Sequence, residues 1–264
     1  MGITEIKQNV KWRDLIKLSP LEKFVENSLC WPWLIGSLTL AAFGYYLIAL
    51  PVSALYFITA LRQSHNGYHN ALGISQNATA FTLYINSMFM LASLHAVKIN
   101  HIEHHKLGLA KDDYERTVSD MSWPRALLQG PQHWWHNHIN ALKTATSKEK
   151  KNVLLELISI GVFVTCAFIF NIDFLIYHIC FMILAELLMP FFTIWVTHHG
   201  HDEHSLAHIR RNKWLNKATM NMMLHYEHHL FPAVPTIKLG ELTRRIELAE
   251  KSFLTNSHDT KVLT

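Results

Sequence analysis

The sequence predicts an all-α integral membrane protein: four transmembrane helices in two hairpins, carrying a cytosolic histidine-rich helical cap. Three observations predict it. Half of the 264 residues are hydrophobic and only 17% are charged, a low share for a soluble domain. The apolar stretches come as long runs interrupted by short breaks, on the scale of the about 20 residues that span a bilayer. The chain also carries 19 histidines, and they cluster in the polar stretches that follow the hairpins.

Taken in order, residues 1–28 form a polar, partly helical lead-in, with Leu15, Ile16, Leu18, Leu21 and Phe24 available to lie on a membrane surface. Met1 to Asn27 is mixed and charged, so no cleavable signal peptide is expected. The first hairpin occupies residues 29–63: a span from Leu29 to Leu50, a turn at Pro51, and a second span from Val52 that leaves the lipid beyond Arg62. Residues 64–152 supply the first part of the cap. Its apolar run Ala78 to Val97 is expected to lie in the interface or re-enter, because a full crossing would separate histidines that share one site. Trp123, Trp134 and Trp135 suit a headgroup-level surface. The second hairpin, residues 153–197, runs from Val153 to Ile172, breaks at Asn171–Asp173 and returns from Phe174 to Val196. Residues 198–264 complete the cap, ending in an amphipathic helix over Thr236 to Lys251 with apolar Ile237, Leu239, Leu242, Ile246 and Leu248. Residues 1–264 thus read as one domain.

Charge gives an independent test of this layout. The 24 lysines and arginines fall within residues 1–23, 62–151 and 210–261, and both expected hairpin turns lack them. The positive-inside rule then places the turns outside, and both termini and every histidine cluster on the cytoplasmic face. The net charge of +4 is not gathered into one patch, which argues against nucleic-acid binding. Cys30, Cys166 and Cys180 lie in or beside apolar runs without a C-x-x-C pair, so neither a disulfide framework nor a thiolate zinc site is indicated.

The histidines fall into a pattern. His65-Asn66-Gly67-Tyr68-His69, His101-Ile102-Glu103-His104-His105 and His225-Tyr226-Glu227-His228-His229 place imidazoles at helical spacings i, i+3 and i+4, which share one face. Eight such histidines are too many for one ion and suit two. Imidazole accepts iron, zinc, copper or nickel. H-E-x-x-H is absent, which argues against a zinc protease. Glu103, Asp112, Asp113 and Glu227 are candidates to fix ring tautomers. His95 and His178 stand alone and read as hydrogen-bonded structural residues. His133, His136 and His138 read as an interfacial or partner-docking surface. Gly67 and Gly200 permit close packing.

In order, spacing and position relative to the hairpins, these clusters resemble the three histidine boxes of the membrane fatty acid desaturase and hydroxylase superfamily. Tyr226-Glu227-His228-His229-Leu230-Phe231-Pro232-Ala233-Val234-Pro235 is especially similar to the third box, and the likeness runs from about Leu29 to Arg245. The resemblance implies a non-haem diiron centre that uses O2 as co-substrate to attack an unactivated C–H bond. Carried over by position, it implies metal ligation by His65, His69, His101, His104, His105, His225, His228 and His229. A ninth ligand is expected from the end of the fourth span: His198, with His199 and His201 as rivals and His204 and His208 near by. Some members hold a water on a metal through an asparagine one turn earlier, where this chain has Ile194.

The expected activity is desaturation of a lipid or acyl substrate, with electrons from a separate donor of ferredoxin, rubredoxin or cytochrome type. No fused carrier domain is expected, and three cysteines cannot hold an iron–sulfur cluster. Hydroxylation or another oxygenation of an apolar substrate is the alternative. A metal transporter or storage protein is a further one, disfavoured because Glu156, His178 and Glu186 are the main ionisable residues within the spans.

Overall fold

The fold follows from where helices can start, break and bury their apolar faces. The computed structural model describes residues 2–262, with side chains over 2–253, and these residues form helices joined by turns. The lead-in holds α1 (Ile3–Asn9) and α2 (Pro20–Ser28). The latter starts at a capping box, with the Ser19 side chain accepting from the Glu22 N–H and Pro20 placed where its missing N–H costs nothing. Leu15 and Leu18 are buried, whereas Ile16, Leu21 and Phe24 are exposed. Only part of the expected membrane-facing set is therefore free to face lipid.

The first hairpin turns earlier than Pro51. α3 (Trp31–Ala42) ends at Phe43-Gly44-Tyr45, and α4 (Tyr46–Tyr68) contains Pro51. Gly44 has φ +77°, a left-handed conformation that glycine adopts without strain. Pro51 lies in the second turn of α4, where the helix tolerates one lost hydrogen bond. At 12 residues, α3 reaches about 18 Å, short of the about 30 Å hydrocarbon layer. Among the described residues, three helical stretches are long and apolar enough to cross: Tyr46–Tyr68, Ser147–Ile169 and Asp173–His198. A fourth is reached only if α5 (Gln76–Met90) and α6 (Leu94–Leu107), bent by 110°, count as one span.

That bend is built from buried polar contacts. Leu91 takes φ +59° and ends α5, and Ser93 caps α6 by accepting from the Ala96 N–H. The Ser93 N–H donates to Nε2 of His138 at 3.0 Å, and the Ser93 hydroxyl donates to Glu156. His95 places Nδ1 2.6 Å from the same carboxylate. A carboxylate from the second hairpin and an imidazole from the cap thus hold α6 turned away from α5.

The short helices α7 (Tyr114–Ser119) and α8 (Trp123–Leu127) lead to α9 (Gly130–Thr144). The chain next turns one residue earlier than the expected Asn171–Asp173 break: α10 (Ser147–Ile169), a turn through Asn171 at φ +50°, then α11 (Asp173–Pro190). After Pro190 the helix widens into a π segment, Phe191–Trp195, and closes as α12 (Val196–His198). α10 leaves Leu154, Leu155, Ile158, Val162, Phe168 and Ile169 exposed, as a lipid-facing span does.

α13 (Lys213–Ala218), α14 (His225–Leu230) and α15 (Leu239–Val262) follow. Two main hydrophobic cores result. One joins Ile6, Val10 and Leu15 to Leu230, Phe231, Leu242 and Ile246, so both ends of the chain build it. The other joins Tyr56, Ala60, Leu83, Met90, Ile179 and Met182 within the spans. The histidine clusters lie between them, His65 and His69 beside Tyr68 of the second core, and His228 and His229 beside Leu230 of the first.

Candidate metal centre

Each of the nine candidate imidazoles lies on a helix or directly after one. α4 carries His65 and, at its last residue's successor, His69; α6 carries His101, His104 and His105; α12 ends on His198; α14 begins with His225 and presents His228 and His229. The end of α4 is pinned by a buried network: Arg62 pairs with Glu26, and Asn66 donates to Glu26 at 2.6 Å. The Asn66 carbonyl accepts from the Thr236 N–H at 3.0 Å and its hydroxyl at 2.7 Å.

The nine histidines form two groups. In the first, ligand atoms of His65, His69, His101 and His228 all lie within 4.8 Å of one another. His105 joins them, its Nε2 3.1 Å from that of His101 and 2.9 Å from that of His228. In the second, His104, His198 and His229 meet the same test. His225 sits between two of them, 2.9 Å from His198 and 3.1 Å from His229 at Nε2. His199 turns away, Nδ1 donating to the Ser119 carbonyl at 2.6 Å, and His201 pairs with His208 at 2.9 Å.

These nitrogens have the chemistry of a cation site. Nδ1 of His198 donates to the Leu206 carbonyl at 2.7 Å, and Nδ1 of His104 to Asp113 at 2.6 Å. In the neutral rings each Nε2 is then a bare lone pair. Nε2 of His104 nonetheless lies 3.3 Å from that of His229. Both ring nitrogens of His65 are buried without a hydrogen-bond partner, an arrangement that costs free energy unless something satisfies them. Burial and the neighbouring imidazoles hold His225, His228 and His229 well below the ordinary histidine range, which keeps them in the neutral, metal-binding form. The residues present fit two metal ions.

Of the four acidic residues expected to orient imidazoles, Asp113 contacts one. Burial opposes its ionisation, but the His104 hydrogen bond and charge and the N–H groups of Glu115 and Leu109 together hold its carboxyl below the usual range. Glu227 is buried and pairs with Arg211 at 3.4 Å, Glu103 is exposed and accepts from Asn140, and Asp112 is exposed. The spacing that suggested them gives their distance along the chain and not the direction in which their helices carry them. His133 and His138 are buried, His136 stacks on Tyr114 at 3.5 Å, and His138 holds the α5–α6 bend. His133 and His138 are interior residues and not a docking surface, and His136 is half-buried; their spacing beside Trp134 and Trp135 carries no mark of this. His95 and His178 are hydrogen-bonded as expected, to Glu156 and to the Phe89 carbonyl. Sequence reasoning missed Glu115, whose carboxyl burial pushes up to about 7.

A cavity of about 500 Å³ opens beside all three histidine clusters, within the about 300–1,000 Å³ range of ligand sites. His65, His101, His225 and Glu115 form its polar end, and Phe57, Leu61, Phe181, Leu184, Leu188 and Phe192 line its length. The sequence profile of the family described as fatty acid desaturase matches residues 28–254.

The chain belongs to the fatty acid desaturase family.

Membership implies an oxidoreductase acting on a lipid or acyl substrate in association with a membrane, in accord with the apolar helices. Comparison with curated proteins gives no significant match. Desaturases of this family usually use iron, and both histidine groups have donors of a kind that binds it.

Proposed function

We propose that this desaturase-family chain removes two hydrogens from a fatty acyl chain at a diiron centre, using O2 and two electrons from a separate donor protein. One observation carries the reading: nine imidazoles pack in two close groups, and three of them, His65, His101 and His225, line one end of a largely apolar cavity. His65, His69, His101, His105 and His228 would hold one iron, and His104, His198, His225 and His229 the other. Iron bound there would supply the O2 activation that attack on an unactivated C–H bond requires.

The chain's own residues do the rest. Phe57, Leu61, Phe181 and Leu188 receive the acyl chain and exclude water. Asp113 holds His104, and the Leu206 carbonyl holds His198, each in the tautomer that turns Nε2 inward. The distribution of basic residues supports a cytoplasmic cap, where a soluble donor would deliver electrons. Among the cavity-lining residues Glu115 is the one carboxylate, which favours an acyl passage over a metal-transport path.

Purified protein given reductant, a donor system and a defined acyl substrate should yield a product lighter by two hydrogens. A product that only gains oxygen would replace desaturation with hydroxylation. Zinc without iron or activity would count against both.

A further inference from the structure

Resting on the diiron reading, we infer that Glu115 is a ligand of the second iron, completing a site that its histidines leave one donor short. The two groups are unequal: five imidazoles converge in the first, and four, His104, His198, His225 and His229, in the second. Ile194, one turn before His198, offers no donor. Glu115 Oε2 lies 3.4 Å from Nε2 of His104 and 3.9 Å from Nε2 of His198.

The distances have the right scale. Imidazole nitrogens and carboxylate oxygens sit at about 2.0–2.2 Å from a bound ion, so neighbouring donors stand about 3.0–3.5 Å apart, and farther when the angle opens. The 3.4 Å separation is also too long for a good N–H···O hydrogen bond, and His104 already spends its proton on Asp113 through Nδ1. Glu115 is therefore aimed at the same point as the imidazoles without being bonded to them.

Two further observations agree. Among the described residues the Glu115 carboxylate accepts no hydrogen bond, although its side chain is only 17% exposed. The adjacent cation, Arg116, turns away to the Leu109 carbonyl and Glu203. The nearest possible cations to Glu115 are the rings of His104 and His198, which are neutral in the metal-binding form; a buried carboxylate facing neutral rings is costly, and an ion between it and the imidazoles removes that cost. Asp113 also locks the pair together: one oxygen holds Nδ1 of His104, and the other accepts from the Glu115 N–H at 3.0 Å. As Glu115 also lines the cavity, it would offer an anionic donor to the second group alone, which would make the two sites electronically distinct.

The test is metal binding and Mössbauer spectroscopy on purified protein loaded with 57Fe. Wild type should hold two irons per chain in distinguishable environments. Glu115→Gln, which keeps the shape and loses the anionic ligand, should bind the second iron at least ~10-fold more weakly, since loss of even an outer partner costs about 10–100-fold. Only one of the two spectral components should change. Glu115→His, supplying another donor, should restore the second iron. His69→Ala should disturb the other component. Two irons with wild-type affinity and an unchanged spectrum in Glu115→Gln would overturn this inference alone. Fewer than two in wild type would overturn the diiron reading and this inference with it.

Discussion

At the scale of single residues, the centre depends on which nitrogen of each ring carries the proton. Asp113 and the Leu206 carbonyl accept hydrogen bonds from the Nδ1–H groups of His104 and His198, leaving Nε2 without a proton in the neutral rings. Asp113→Ala removes the acceptor shared by His104 and by the N–H groups of Leu109 and Glu115. We expect iron affinity at the second group to fall about 10–100-fold, read by competition with a chelator, while the first group keeps its iron. Titration of the metal-free centre has a definite sign. Unfolded imidazoles take up protons as pH falls through their ordinary value of 6.5, whereas folded His225, His228 and His229 resist until well below it. The unfolded state then binds more protons, so stability rises with pH. Metal-free protein in detergent should show a lower thermal midpoint at pH ~5.5 than at pH ~7.5. An unchanged midpoint would show that these rings are not held neutral by burial.

At the scale of elements, two junctions set the angles between helices. The α5–α6 bend rests on Glu156, which is buried and serves the Ser93 hydroxyl and both the N–H and Nδ1 of His95. Glu156→Ala strands these donors at about 1–3 kcal/mol each. Thermal unfolding should fall sharply, and loss of bound metal should accompany it because α6 carries three of the nine histidines. α9 meets α11 where Gly130 lies against the Leu187 backbone, and a Cβ there would collide with the Leu187 carbonyl. Backbone cannot yield as a side chain can. Gly130→Ala should therefore cost at least the about 1–3 kcal/mol of ordinary overpacking, measured as a drop in unfolding temperature.

At the scale of the molecule, a cavity that receives the proposed acyl chain would act as a ruler. Ala54 lies eleven residues before His65 on α4, and Ala185 thirteen before His198 on the α11–α12 stretch. At the helical rise these are roughly 16 and 20 Å from the histidines. Enlarging both, as Ala54→Phe with Ala185→Phe, should shift turnover toward shorter acyl chains without loss of bound iron. Product analysis across a chain-length series checks this, and an unchanged length preference would remove the cavity from the substrate's path.

The sequence by itself determined the helical class, a turn near Asn171 and three histidine clusters, because each rests on a local property: apolar length, a polar break, and imidazoles at one-turn spacing. It also pointed to His198, which the structure brings into the second group while His199 and His201 face elsewhere. Tertiary structure decided what depends on direction. The first turn falls at Gly44 because a left-handed residue reverses the chain there, and Pro51 is absorbed into the following helix. α5 and α6 diverge because Glu156 and His138, remote in sequence, satisfy the donors exposed at the break. Asp113 reaches an imidazole while Glu103 and Asp112 do not, and Glu115 stands at the second group although no motif marks it. Local spacing fixes which side chains share a helix face; only the packing of helices fixes what that face meets.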